Sequence, residues 1–83
     1  MSELPDKILT LYSGKQCHLC DIAETLIRHT LPSADVDMEK VDVSKDHQLY
    51  HLYGAKIPVL KRWDTLEEIS WPFDQQQLIE FLS

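Results

Sequence analysis

The sequence predicts an α/β fold: a mixed four-stranded sheet flanked by helices, in the order β-α-β-α-β-β-α. Three observations predict it. The first two strand-like segments are separated by a stretch of helical periodicity, and a helical crossover favours a parallel, right-handed pair. The last two strand-like segments are joined by a short link, which favours an antiparallel pair. Finally, 83 residues with 43% hydrophobic and 27% charged content suit one folded domain spanning residues 1–83, because a domain usually takes ~100–200 residues.

The elements follow in order. Lys7 to Tyr12 is rich in strand formers and ends at Ser13-Gly14, so it reads as a buried strand and a turn. Leu19, Ala23, Leu26, Ile27 and Thr30 recur at helical intervals, which defines a helix starting near Cys17 with these residues on one face. Pro32 ends it, since proline restricts the residue before it and has no N–H. Asp35 to Val43 alternates, but Val41 and Val43 have the opposite phase to Val36 and Met38. A bulge or strand end near Lys40 is expected. Ser44 is the expected cap of a second, short helix with Leu49, Leu52 and Tyr53 on its apolar side and Gly54 as its stop.

Ile57 to Arg62 forms the third strand, with Pro58 tolerable only at its start, at an edge or at a bulge. Leu66 to Ser70 is the fourth, after the link Trp63-Asp64-Thr65. Asp74 and Gln77 have capping-box spacing. They open a last helix with Leu78, Ile79, Phe81 and Leu82 on its apolar side.

Charge and composition exclude several function classes. Fourteen acidic against eight basic residues give a net charge of −6. Nucleic acids and anionic membranes call for a basic face, so neither is an expected partner. The run Ile8 to Tyr12 is far too short to span a bilayer. Met1 to Asp6 has neither a basic region nor an apolar core, so no signal peptide is expected.

The two cysteines, Cys17 and Cys20, carry the chemistry. A purely structural disulfide three positions apart closes a very small loop and would stabilise little. Redox chemistry, metal binding and two plain core thiols remain open. A thiolate at a helix start meets unpaired N–H groups and a partial positive charge. Its pKa then falls from about 8.5 into the range ~3.5–7.5. On this reading Cys17 is the nucleophile and Cys20, one turn deeper, is the resolving thiol. His18 and Asp21 act on that thiolate with opposing signs. Lys15 is a candidate to steady the thiolate or meet a substrate carboxylate. His47 and His51 share a helix face and with both cysteines would complete a Cys₂His₂ set, but the gap of 26 residues from Cys20 to His47 exceeds finger spacing. No metal site is therefore expected.

Leu11-Tyr12-Ser13, Cys17-His18-Leu19-Cys20, Val41-Asp42-Val43, Ile57-Pro58-Val59 and Asp74 at the last helix together resemble a glutaredoxin-like protein of the thioredoxin superfamily, over nearly the whole chain. The resemblance implies a cis Pro58 beside the cysteines, Ile57 offering backbone groups to the substrate, and Asp74 near the substrate. It also implies a disulfide oxidoreductase in a reducing cytoplasm. Its partners would be disulfide-containing proteins or glutathione, with glutathione as a candidate co-substrate and no tightly bound cofactor. The chain departs from the usual pattern at His18 and Leu19, where proline and tyrosine are common. Trp71-Pro72 stands where two glycines usually precede the last helix. Two alternatives accompany this expectation. One is a non-catalytic adaptor domain with Trp71, Pro72 and Phe73 as its partner surface; the other is an iron–sulfur-binding variant. A small acidic domain is monomeric by default.

Overall fold

The computed structural model describes residues 7–30 and 36–82. The helix stop at Pro32, the strand start at Asp35 and the segment Met1 to Asp6 lie outside the described residues. Strands β1 (Lys7–Ser13), β2 (Val36–Asp42), β3 (Val59–Arg62) and β4 (Glu68–Ser70) form one sheet in the order β2-β1-β3-β4. Helices α1 (His18–Thr30), α2 (His47–Tyr53) and α3 (Gln75–Phe81) cover its faces. β1 is parallel to β2, as a helical crossover requires, and antiparallel to β3. β3 is antiparallel to β4. This is the mixed sheet read from the sequence.

Alternation in β1 sets up two cores, because successive side chains point to opposite faces. Leu9 and Leu11, both fully buried, pack with Leu60 against Ala23 and Ile27 of α1 and Leu78 of α3. Tyr12 and Val59 face the other way and pack with Val43, joined by Leu49 and Tyr53 of α2. Leu19 lies outside the predicted face of α1 and is 46% exposed. Leu52 and Ile79 are likewise exposed rather than packed on the apolar sides of α2 and α3. A seven-residue helix has room for about two turns of contact, so only one stripe of each short helix reaches the sheet.

β2 has no bulge: its register with β1 is unbroken from Lys7↔Val36 to Ser13↔Asp42. The change of phase has another cause. Met38 packs on the α1/α3 core and Val41 on the α2 core, so both faces demand apolar residues. The strand ends at Asp42, where its carboxylate accepts the Ser44 N–H at 2.9 Å and the Ser44 hydroxyl at 2.6 Å. A single 3-10 turn, Val43–Lys45, follows and tucks Val43 inward.

Ser44 is therefore not the cap of α2. Asp46 is: its carboxylate accepts the N–H groups of Gln48 and Leu49. The two polar residues compete for the role, and the one adjacent to the helix wins because an N-cap oxygen must reach N2 and N3. The C-terminal capping box is formed as expected, with Asp74 and Gln77 bonding reciprocally.

β3 and β4 are shorter than the sequence suggests. Leu66 is no strand member: it sits in the turn at φ 67 and is 62% exposed, its N–H donated to the Arg62 carbonyl at 2.9 Å. Arg62, buried, forms a two-pronged ion pair with Asp64 and also donates to the Phe81 carbonyl, which ties the hairpin to α3. Both sheet edges are guarded. β4 has three residues, and β2 carries exposed Asp37, Glu39 and Lys40. Among the described residues no helix is long and apolar enough to cross a membrane.

Candidate redox site

The C-terminal end of β1 leads directly to the cysteines. Ser13 is buried, Lys15 and Gln16 form an exposed turn, and Gln16 takes φ 52. Such a left-handed backbone reverses the chain within two residues. Cys17 then stands just ahead of α1, and its carbonyl accepts the Asp21 N–H at 3.2 Å, which makes it the cap of the helix. Its sulfur accepts the Cys20 N–H at 3.1 Å, a bond in which sulfur replaces the usual capping oxygen. Cys17 and Cys20 are joined in a disulfide with Cα atoms 5.1 Å apart. The two sulfurs differ in access: Cys20 is 1% exposed, while Cys17 is half-buried at the surface. His18 and Leu19 between them are exposed.

The start of β3 is brought to the same end of the sheet. The antiparallel register Tyr12↔Val59 runs on toward Ser13 and Pro58. Ile57 lies against Gly14, where an added Cβ would come within 2.7 Å of Ile57 Cδ1. Gly14 thus leaves room for the end of the Ile57 side chain, which a larger residue would push aside. The Ile57-Pro58 bond is cis, as the resemblance implied, and Pro58 is fully buried. Ile57 donates its N–H to the Tyr53 carbonyl at 3.0 Å, and Pro58 accepts the Trp71 N–H at 3.0 Å. The Trp71-Pro72 bond is cis as well, which no sequence signal gave. Trp71 meets Phe73 edge-on at 5.2 Å.

Tyr53 holds this corner from below. Its ring stacks on Tyr12 with centroids 4.2 Å apart, and its hydroxyl donates to Glu68 at 2.5 Å. The bond to the Glu68 carboxylate keeps the Tyr53 hydroxyl protonated far above the usual tyrosine range. Burial similarly raises the Tyr12 hydroxyl. The sequence showed Tyr53 only as a packing residue. Its carbonyl, which fixes Ile57, is a backbone role with no residue signature.

Charges around the site come from α1 and β2. Lys40 bridges Glu24 at 3.0 Å and Asp21 at 3.7 Å, and Arg28 pairs with Glu24 at 3.0 Å. The Lys40 ammonium beside Glu24 holds that carboxyl below its usual range. Lys15 is exposed, and the Asp42 carboxyl at the end of β2 is held below its usual range chiefly by the hydrogen bonds from Ser44. Asp74 is exposed, but its carboxylate accepts the Gln77 N–H at 2.8 Å and its own N–H donates to Gln77 Oε1 at 2.9 Å. His47 and His51 are exposed on α2. Among the described residues no group of three or more histidine, cysteine or acidic side chains could hold a metal ion. The structure thus gathers Cys17, Cys20, Gly14, Ile57, Pro58 and Trp71 at one end of the sheet.

Residues 8–83 match the family described as Glutaredoxin-like domain (DUF836). A structural-genomics target protein, XcR50 from X. campestris, is 34% identical, with a TM-score of 0.78 over 89% of this chain and 93% of its own. Protein Ne2328 from Nitrosomonas europaea is 21% identical, with a TM-score of 0.78 over 100% of this chain and 99% of its own. A mutant thioredoxin from Halobacterium salinarum is 23% identical, with a TM-score of 0.70 over 93% of this chain and 72% of its own. No curated protein matches the chain.

Proposed function

The chain belongs to the Glutaredoxin-like domain family (DUF836) and has the thioredoxin fold, and from that premise we propose that it is a thiol–disulfide oxidoreductase acting through Cys17 and Cys20. The observation that carries this is the unequal pair at the helix start: an accessible Cys17 whose sulfur receives a backbone N–H, next to a buried Cys20. A hydrogen bond to the charged form and the helix N-terminus both favour a thiolate at Cys17 in the reduced protein.

The cycle balances in two displacements. The Cys17 thiolate attacks one sulfur of a target disulfide; a new S–S bond forms, the target bond breaks, and the other target sulfur leaves as a thiolate that takes a proton from water. Cys20 then gives up its proton and attacks Cys17, forming the Cys17–Cys20 disulfide and releasing the second target thiol. The target gains two electrons and the protein loses two. Two equivalents of a thiol such as glutathione, or a dithiol reductase, return them by the reverse displacements.

Ile57 and Pro58 dock the target backbone. With the Ile57 N–H given to Tyr53, we assign its carbonyl as the acceptor for the target chain. We also assign Lys15 and Asp74 to target binding. No tightly bound cofactor takes part, and the setting is the cytoplasm, where thiols are kept reduced.

A Cys20→Ser protein tests the proposal. It should accumulate a mixed disulfide on Cys17 when mixed with oxidised glutathione or a disulfide-bonded protein, read by intact-mass spectrometry. Absence of any adduct on Cys17 would refute the activity.

A further inference from the structure

We infer that Tyr53 is a positioning residue: the bond from its hydroxyl to Glu68 anchors the end of α2, and that anchor holds the Ile57 turn beside the loop leading to Cys17. The inference rests on the redox reading above, in which Ile57 docks the target, and names the residues that fix Ile57.

Three observations carry it. The first is how little else holds α2. None of its seven residues is buried, and only Leu49 and Tyr53 are half-buried, against the core of Tyr12, Val43 and Val59. A helix of two turns is not stable alone, so packing decides where it sits. Tyr53, its last residue, supplies two contacts of different kinds. Its ring lies nearly parallel to that of buried Tyr12, at 11°, with centroids 4.2 Å apart. Its hydroxyl donates to Glu68 Oε2 at 2.5 Å. Offset stacked rings tolerate sliding, whereas a hydrogen bond is directional. The second contact therefore fixes what the first only covers.

The second is the footing of the acceptor. Glu68 lies on β4, opposite Lys61 in the β3–β4 ladder. The Lys61 ammonium is 3.9 Å from the same Oε2 and 4.2 Å from the centroid of the Trp63 ring. The carboxylate is thus held by the sheet, and the bond ties α2 to that frame.

The third is what hangs from Tyr53. Its carbonyl accepts the Lys56 N–H at 2.7 Å and the Ile57 N–H at 3.0 Å. Both bonds lie in the turn between α2 and β3. The end of the Ile57 side chain meets Gly14, in the loop between β1 and Cys17. A shift of the Tyr53 backbone therefore shifts Ile57 relative to that loop.

Two variants break the anchor from either side. Tyr53→Phe keeps the ring and the carbonyl, and Glu68→Ala removes the acceptor from an exposed position. Hydrogen exchange of the oxidised protein, followed by NMR, reads the anchor directly. In either variant the Lys56 and Ile57 amides should exchange about fivefold faster, the effect of one lost hydrogen bond. Ile27→Val destabilises the other core and should leave these two amides unchanged, because they exchange by local opening. The functional readout is stopped flow on reduced Cys20→Ser protein. Its probes are a peptide dimer linked through one central cysteine and 2-hydroxyethyl disulfide, which has no peptide backbone to dock. Each variant should slow the peptide about fivefold and the small disulfide less than about twofold; the double variant should be no slower than either, since both remove one bond. Glu68→Gln, which keeps an oxygen acceptor, should restore most of the peptide rate. Unchanged exchange of Lys56 and Ile57 in Tyr53→Phe, equal acceleration in Ile27→Val, or equal slowing of both disulfides would overturn the inference and leave the redox reading standing. No reaction of the Cys20→Ser parent with either disulfide would overturn the redox reading and the docking role with it.

Discussion

Leu66 illustrates how one residue can work against its own turn. At φ 67 a side chain with a Cβ crowds the following carbonyl, at a cost of about 1–2 kcal/mol. Glycine avoids that cost but loses more entropy on folding, so the two effects partly cancel. Because Leu66 is largely exposed, its side chain contributes little packing in return. Leu66→Gly is therefore expected to raise stability by about 0.5–1 kcal/mol, seen as a higher urea midpoint with unchanged slope. Gln16 has the same backbone sign beside Cys17. There the conformation turns β1 into the helix start, so it belongs to the construction of the site.

At the scale of elements, the two competing caps ahead of α2 can be separated. Asp46→Ala should destabilise the protein by about 1 kcal/mol, since two N–H groups lose their acceptor. Ser44→Ala should cost less, because the Ser44 N–H keeps its own bond to Asp42. Denaturant titration of both variants checks the order. The same comparison shows what can be read from sequence. The Asp74–Gln77 box was legible because both partners are local and their spacing is specific. β1, α1 and the parallel-then-antiparallel sheet were legible from periodicity and linker length. The cap of α2 was not, because Asp42, Ser44 and Asp46 all have capping side chains and only the length of the 3-10 turn decides between them. Leu19, Leu52 and Ile79 were misplaced for a related reason: apolar spacing marks a stripe but does not say how much of it the sheet can cover. At the site, the cysteine pair and Pro58 carried motifs. The Tyr53 carbonyl and the fit of Gly14 under Ile57 depend on long-range approach and carried none.

For the molecule as a whole, Arg62 and Asp64 couple the hairpin to the C-terminal helix, and this coupling is sensitive to acid. The Arg62 guanidinium pulls the Asp64 carboxyl down to about 2 from 3.8. A folded-state pKa below the unfolded one contributes stability above the unfolded value and loses it as the pH falls through the folded value. Stability should therefore decline between about pH 4 and pH 2. Asp64→Asn should flatten that part of the acid limb, measured by urea midpoints across the range. The guarded edges of the sheet have a different consequence. A strand with free N–H and C=O groups is a template onto which another copy can add. The outer strand β2 presents Asp37, Glu39 and Lys40, and β4 is too short to seed such growth. Here charged side chains lie along the side of the sheet, so a second copy adding to that edge would have to desolvate them in the direction in which fibrils grow.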